Sequence, residues 1–214
     1  MHEWWSILRR TLGAPAMPLV AAGAVVAAWL STLLAEASLG ANEGFVDEVR
    51  QGAALFGGAL VLSLAEPLEV GREARSGLLA VRLSRTRTSG LAVRALALSM
   101  STWPVVAAVS LAAGGLPPDP VSLVVELFVL AAGGLALGSV LDRHLLVPAL
   151  WGLLVVAHLR PWLAEAAWGA PLAWVLPRMG DMQGPLALAH GVAWGAAALL
   201  LAGWRLDVAA GRPA

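Results

Sequence analysis

The chain has no cysteine, no tyrosine and no lysine among its 214 residues. Without cysteine there is no disulfide framework, no thiolate nucleophile and no sulfur-ligated metal site. Without lysine there is no G-x-x-x-x-G-K-[ST] loop, because the lysine of that loop is what reaches the phosphates. Charge is scarce too: 13% of residues are charged, against about 25% in soluble domains. What is abundant is apolar. Hydrophobic residues make up 59% of the chain and its mean hydropathy is +0.77. A soluble fold of this length leaves much of its chain in water and cannot hide that much apolar surface. Composition therefore places the chain in the membrane class. The fourteen cations are all arginine, a usage that suggests a GC-rich bacterial genome and a bacterial plasma (inner) membrane.

The expected fold is all-α, a polytopic membrane protein in one transmembrane domain over residues 1–214. A span needs about 20 apolar residues. Six stretches approach that: Ala16 to Leu34, Gln51 to Ala65 (with room to borrow a turn from Phe45 to Arg50), Leu91 to Ala113 (with a kink at Pro104), Val121 to Leu141, Leu145 to Leu159, and Leu186 to Trp204. Residues 1–13 do not read as a signal peptide, because Trp4, Trp5, Ile7 and Leu8 precede Arg9 and Arg10. They read as an interfacial helix with its tryptophans in the headgroups and its arginines in water. Residues 160–185 are apolar but broken by Pro161, Gly169, Pro171 and Pro177. Neither half is long enough to cross, and Trp162, Trp168 and Trp174 are interface-anchoring residues. A re-entrant helical pair is expected there.

Residues 66–94 form the most charged stretch, with three of the fourteen acids and six of the fourteen arginines. Six spans put both termini on one side. With that side cytoplasmic, inner segments hold eleven arginines and outer segments three, which is the bias that sets orientation. The 67–90 loop is then cytoplasmic. Val70, Ala74, Leu78 and Val81 recur at helical spacing on one stripe. Glu69, Arg72, Glu73 and Ser76 form the opposite stripe, expected to face the cytoplasm. A basic loop that only sets topology would show the same composition.

The residues Gly71-Arg72-Glu73-Ala74-Arg75-Ser76-Gly77-Leu78-Leu79, followed by Arg82-Leu83-Ser84-Arg85 and by Gly90 and Arg94, resemble the region after the second span in permeases of type-2 ABC exporters. The proline that usually follows the serine in that family is replaced by Arg85-Thr86-Arg87. The resemblance extends to the whole plan of interfacial helix, six spans and an insert before the last. It implies a cytoplasmic coupling helix in which Glu69, Arg72, Glu73, Arg75, Gly77, Arg82 and Arg85 dock onto a separate ABC ATPase subunit. It further implies a second permease copy, homo- or heterodimeric, surrounding membrane lipid, and a gate formed by the 160–185 segment. ATP and Mg would belong to the ATPase; this chain would hold no cofactor, meet no nucleic acid and not itself be an enzyme. The expected cargo is hydrophobic or amphipathic: a lipid, drug or peptide.

Isolated polar residues add candidates for the pathway. Glu126 lies inside the fourth span, where a carboxylate is costly and often functional; outward snorkelling, or pairing with Arg160 or Arg50, is the plainer account. Trp168 and Trp174 are candidates for the gate. His158 is expected at the interface, and His190 as a packing residue. No His, Asp or Glu cluster has metal-ligand spacing. Two other membrane classes share features with the chain. A haem-export permease of cytochrome c maturation has a similar length, span count and loop. A rhomboid-like serine protease would need Ser139 as nucleophile and His190 as base. Those two sit near opposite ends of their spans, on the order of 15–20 Å apart at 1.5 Å per residue, beyond hydrogen-bond reach. A stand-alone scaffold or lipid-binding protein is the remaining class, and it predicts no ATPase.

Overall fold

A computed structural model describes residues 2–38, 43–76, 87–117, 119–166, 169–179 and 184–209. Among them every regular element is helical. In chain order these are α1 (His2–Leu12), α2 (Met17–Ala37), α3 (Glu43–Leu64), a 3-10 turn (Glu66–Leu68), α4 (Val70–Arg75), α5 (Arg87–Ser101), α6 (Trp103–Ala112), α7 (Pro120–Gly138), α8 (Arg143–His158), α9 (Arg160–Glu165), α10 (Ala170–Val175) and α11 (Pro185–Ala209).

Four helical stretches are long and apolar enough to cross a membrane: Met17–Ala37, Gly90–Ala112, Pro120–Gly138 and Pro185–Ala209. The other two expected spans differ. The second apolar stretch starts earlier than Gln51, because α3 begins at Glu43. Its first turns therefore carry Glu43, Asp47, Glu48 and Arg50, the charged residues that precede the apolar run. The fifth is α8, with 16 residues, which at 1.5 Å per residue is about 24 Å long, less than the ~30 Å apolar thickness of a bilayer.

The third apolar segment is broken at Thr102, between α5 and α6. Pro104 has no N–H to donate to the carbonyl four residues back. The buried hydroxyls nearby turn onto the backbone instead, Ser101 Oγ onto Leu98 O at 2.7 Å and Thr102 Oγ1 onto Ser99 O at 2.6 Å. This is the interruption expected from Pro104.

Contacts between chain-distant residues define two ends. At one end, the C-terminus of α3 and the turn after it meet the N-terminus of α5, since Arg94 donates to Pro67 O. The C-terminus of α7 is there as well, with Leu68 against Gly134. At the other end, Arg50 near the start of α3 donates to Ala113 O at the close of α6, and Gln51 donates to Asp119 O before α7. The long helices thus alternate in direction along the chain. Helix α7 is the axis of the bundle: 67% of its apolar window is buried, against 22% for α2 at the edge.

Small residues allow this packing, as they do where helices approach closely in lipid. A Cβ at Gly58 would strike Leu127, and one at Gly195 would come within 2.6 Å of Phe128. The tightest place is Gly138, where a Cβ would run into the carbonyl of Leu68. The outer faces are apolar. Leu19, Trp29 and Leu34 on α2, and Leu186, Leu200 and Leu201 on α11, are exposed. An apolar surface this continuous is far more than a soluble monomer leaves open.

Gly138→Ala is expected to destabilise the detergent-solubilised protein by about 1–3 kcal/mol, read as a drop in Tm. Gly152→Ala should leave Tm nearly unchanged, because a Cβ there meets nothing within 4 Å. Equal losses at both positions would contradict this packing.

Candidate functional site

The described part of the charged stretch is a 3-10 turn and one short helix, folded back onto the end of the bundle. Pro67 and Leu68 are buried. Leu68 lies on the Gly134–Gly138 face of α7, whose missing side chains make the room. Gly71 is equally constrained, since a Cβ there would stand 2.9 Å from Gly138 O and 3.0 Å from Ser139 O. Val70 is fully buried and Ala74 packs against the core, so the apolar stripe points inward as its spacing implies. The continuation of that stripe at Leu78 and Val81 lies outside the described residues, as do Gly77, Arg82 and Arg85.

The opposite stripe does not behave as a simple solvent face. Glu69 and Glu73 side chains are only 12% and 13% exposed, whereas Arg72 is 81% exposed. Both acids turn into the protein and each meets two arginines. Glu73 Oε2 accepts from Arg94 Nη1 at 2.7 Å, and Glu73 Oε1 accepts from Arg10 Nη1 at 3.3 Å. Glu69 pairs with Arg72 at 3.6 Å and with Arg143 at 3.7 Å. Arg75 reaches Asp142, in the turn between α7 and α8, at 2.7 Å. One short helix is thereby tied to α1, α5, the α7–α8 turn and α8. The two acids turn inward because a carboxylate at the edge of an apolar bundle is stabilised by pairing with arginines from neighbouring elements, and the exposed face is left to Arg72, Arg75 and Ser76.

Arg94 is the residue that sequence reasoning undervalued. It is fully buried. Its Nε donates to Pro67 O at 2.7 Å, which holds the turn, while Nη1 holds Glu73. Among the described residues its Nη2 has no hydrogen-bond partner. An arginine early in an apolar helix was a readable signal, but its partners lie 21 and 27 residues back in the chain. The N-terminal helix also differs from its expected role. Ile7 is buried and Trp4 packs against the core, while Trp5 is exposed. Helix α1 is thus docked on the bundle, with Arg10 in the network.

Beside this network lies a polar cleft of about 350 Å³, lined by Glu69, Arg72, Arg75, Leu141, Asp142, Arg143 and His144. Three arginines share two carboxylates there, so the cleft carries excess positive charge.

The opposite end holds the other candidates. Glu126 is fully buried and does not snorkel outward; Ser122 Oγ donates to its Oε1 at 3.3 Å. Arg50, one expected partner, is engaged with Ala113 O, Asp47 and Glu36. Helices α9 and α10 form the expected short pair, each six residues long. The carbonyls ending α10, which no helix bond can satisfy, receive side chains: Arg160 Nε donates to Ala173 O at 2.6 Å, and Trp194 Nε1 to Val175 O at 2.9 Å. His190 Nε2 lies 3.2 Å from Trp174 O. His190 and Trp194 of α11 thus pin the pair. Trp174 itself is exposed, and Trp168 lies outside the described residues.

Ser139 and His190 are not brought together. Ser139 Oγ donates to Ala136 O at the α4 end, while His190 contacts α10 at the other. Among the described residues no His, Cys, Asp and Glu grouping could hold a metal ion. Compared with protein-family models, with curated proteins and with solved structures, the chain matches none.

Arg94→Leu is expected to cost about 3–5 kcal/mol, the penalty for stripping one partner from a buried ion pair. Arg75→Leu breaks an exposed pair and should cost under ~1 kcal/mol. Denaturant titration followed by tryptophan fluorescence compares them. Adding Glu73→Leu to Arg94→Leu should restore part of the loss; a purely additive double variant would show that the pair does not couple.

Proposed function

We propose that this chain is the membrane-spanning permease subunit of an ATP-driven exporter of the type-2 ABC class, seated in a bacterial inner membrane with both termini cytoplasmic. The observation that carries the reading is the short helix α4. It presents Arg72 and Arg75 outward and is tied behind by Glu69 and Glu73 to α1, α5 and α8. A force applied to such a helix from outside is delivered to several long helices at once. Transmission of that kind is what a permease without its own ATP site requires. The four helical stretches apolar and long enough to cross support the reading, and in it α3 and α8 cross beside them. In α3 the charges lie in the first turns, where they reach an interface. Helix α8 is short and is continued by α9.

In this reading two ATPase subunits bind the α4 faces of two permease copies, and the residues around Arg72 to Arg85 form the docking segment. Closure of the ATPases moves α4, and the long helices follow. The α9–α10 pair, pinned by His190 and Trp194, closes the far end. The cargo is hydrophobic or amphipathic, in keeping with apolar walls.

Affinity purification from the native membrane tests this. An ATPase subunit should accompany the wild-type chain and be lost with Arg72→Glu plus Arg85→Glu at unchanged chain abundance. Recovery of no ATPase with the wild type would sink the reading. Orientation is tested separately, because the chain has no native cysteine. A cysteine at Ser76 should be labelled by impermeant maleimide only after the cells are opened, and one at Ser38 in intact cells. The reverse pattern would overturn the assigned sidedness.

A further inference from the structure

An open groove of about 510 Å³ runs between α7, α8 and α11. Gly133, Leu137, Ala149, Gly152, Trp194 and Leu201 mark its walls. Every residue lining it is apolar, and the one polar atom among those side chains, Trp194 Nε1, is already committed to Val175 O. The groove therefore offers its occupant no free side-chain hydrogen bond and holds it almost wholly by contact. Taking a methylene at the ~30 Å³ that water occupies in the liquid, it has room for on the order of 15 carbons, the size of one lipid chain.

Charge supplies the second half of the argument. Leu137 lines the groove and Leu141, one helical turn further along, lines the basic cleft with Arg72, Arg75, Arg143 and His144. Leu141 N bonds to Leu137 O at 2.8 Å, so the two residues sit on successive turns of the same backbone segment. On α11 the same step leads from Leu201 in the groove to the exposed Arg205, which lies over the Trp204 ring. An apolar slot that ends one turn below an arginine-rich rim matches a molecule with a hydrocarbon chain and an anionic head. Arginine near a membrane surface attracts such headgroups.

We propose that the α7–α8–α11 groove and its basic rim bind one membrane lipid with an anionic phosphate headgroup, chain in the groove and head beside Arg143 and Arg205. This rests on the bundle lying in a membrane, as proposed above, and needs no ATPase. A failed ATPase purification would leave it standing, and its own failure would leave ATPase docking standing.

The test uses Trp194 as reporter. The purified chain is reconstituted in phosphatidylcholine vesicles with a small fraction of brominated-chain phosphatidylglycerol or, in parallel, brominated-chain phosphatidylcholine. The Trp194 component is the difference between wild type and Trp194→Phe. It should be quenched more effectively by the anionic lipid, by up to about 30-fold, the preference expected of two arginines at about 1 kcal/mol each. Gly152→Phe puts a ring into the groove from a position with open space around its Cα, and should abolish the preferential quenching. Arg143→Gln with Arg205→Gln leaves the groove intact and should equalise the two lipids. That second variant decides the matter if Gly152→Phe loses its helical circular dichroism. Equal quenching by both lipids in the wild type would overturn the proposal. So would a preference that survives the variants, or a Gly152→Phe protein that loses self-association while its lipid response persists, which would assign the groove to a second copy.

Discussion

A fully buried guanidinium sets the terms for one end of this protein. Arg94 stands in a helix whose neighbours are leucine and alanine, and an unpaired charge there would cost several kcal/mol. It is tolerated because two oxygens are delivered to it, Pro67 O at 2.7 Å and Glu73 Oε2 at 2.7 Å. Both belong to the segment after α3, so that segment has to fold back over the bundle. The buried charge and the folded-back turn require each other. Neither is stable in this form without the other.

The turn can reach Arg94 only because α7 makes room. Gly134 and Gly138 remove the side chains that would otherwise hold Leu68 and its carbonyl away, and Gly71 lets α4 rest on the last carbonyls of α7. Steric permission and electrostatic demand thus come from different helices, α7 and α5, and converge on one short stretch. Arg10 then draws α1 into the same set of charges. Helix α1 is packed against protein as well, with Ile7 buried and Trp4 against the core.

Much of the architecture was legible in the chain. The apolar stretches, the interruption at Pro104, the broken pair before the last helix and the inward stripe of Val70 and Ala74 all follow from local rules of length, proline and period. Pairing was not legible. The acid stripe at Glu69 and Glu73 reads as a solvent face when only its own helix is considered. Its burial depends on Arg94, Arg10 and Arg143, which come from three other parts of the chain. The early start of α3 was legible only as a turn borrowed from Phe45 to Arg50, since Glu43, Asp47 and Arg50 break the apolar run without breaking the helix. Arg50 caps the carbonyl of Ala113, sixty-three residues away, which no local pattern encodes.

The distribution of charge also separates what is stiff from what is adjustable. The Arg94–Glu73 pair is shielded from water, and its strength depends little on salt. The Arg75–Asp142 pair is short but exposed, with both side chains more than half accessible, and a solvated pair of that kind holds weakly. Helix α4 is therefore anchored firmly toward α5 and loosely toward the α7–α8 turn. A load on its outer face would open the cleft beside Arg143 before it separated α4 from α5.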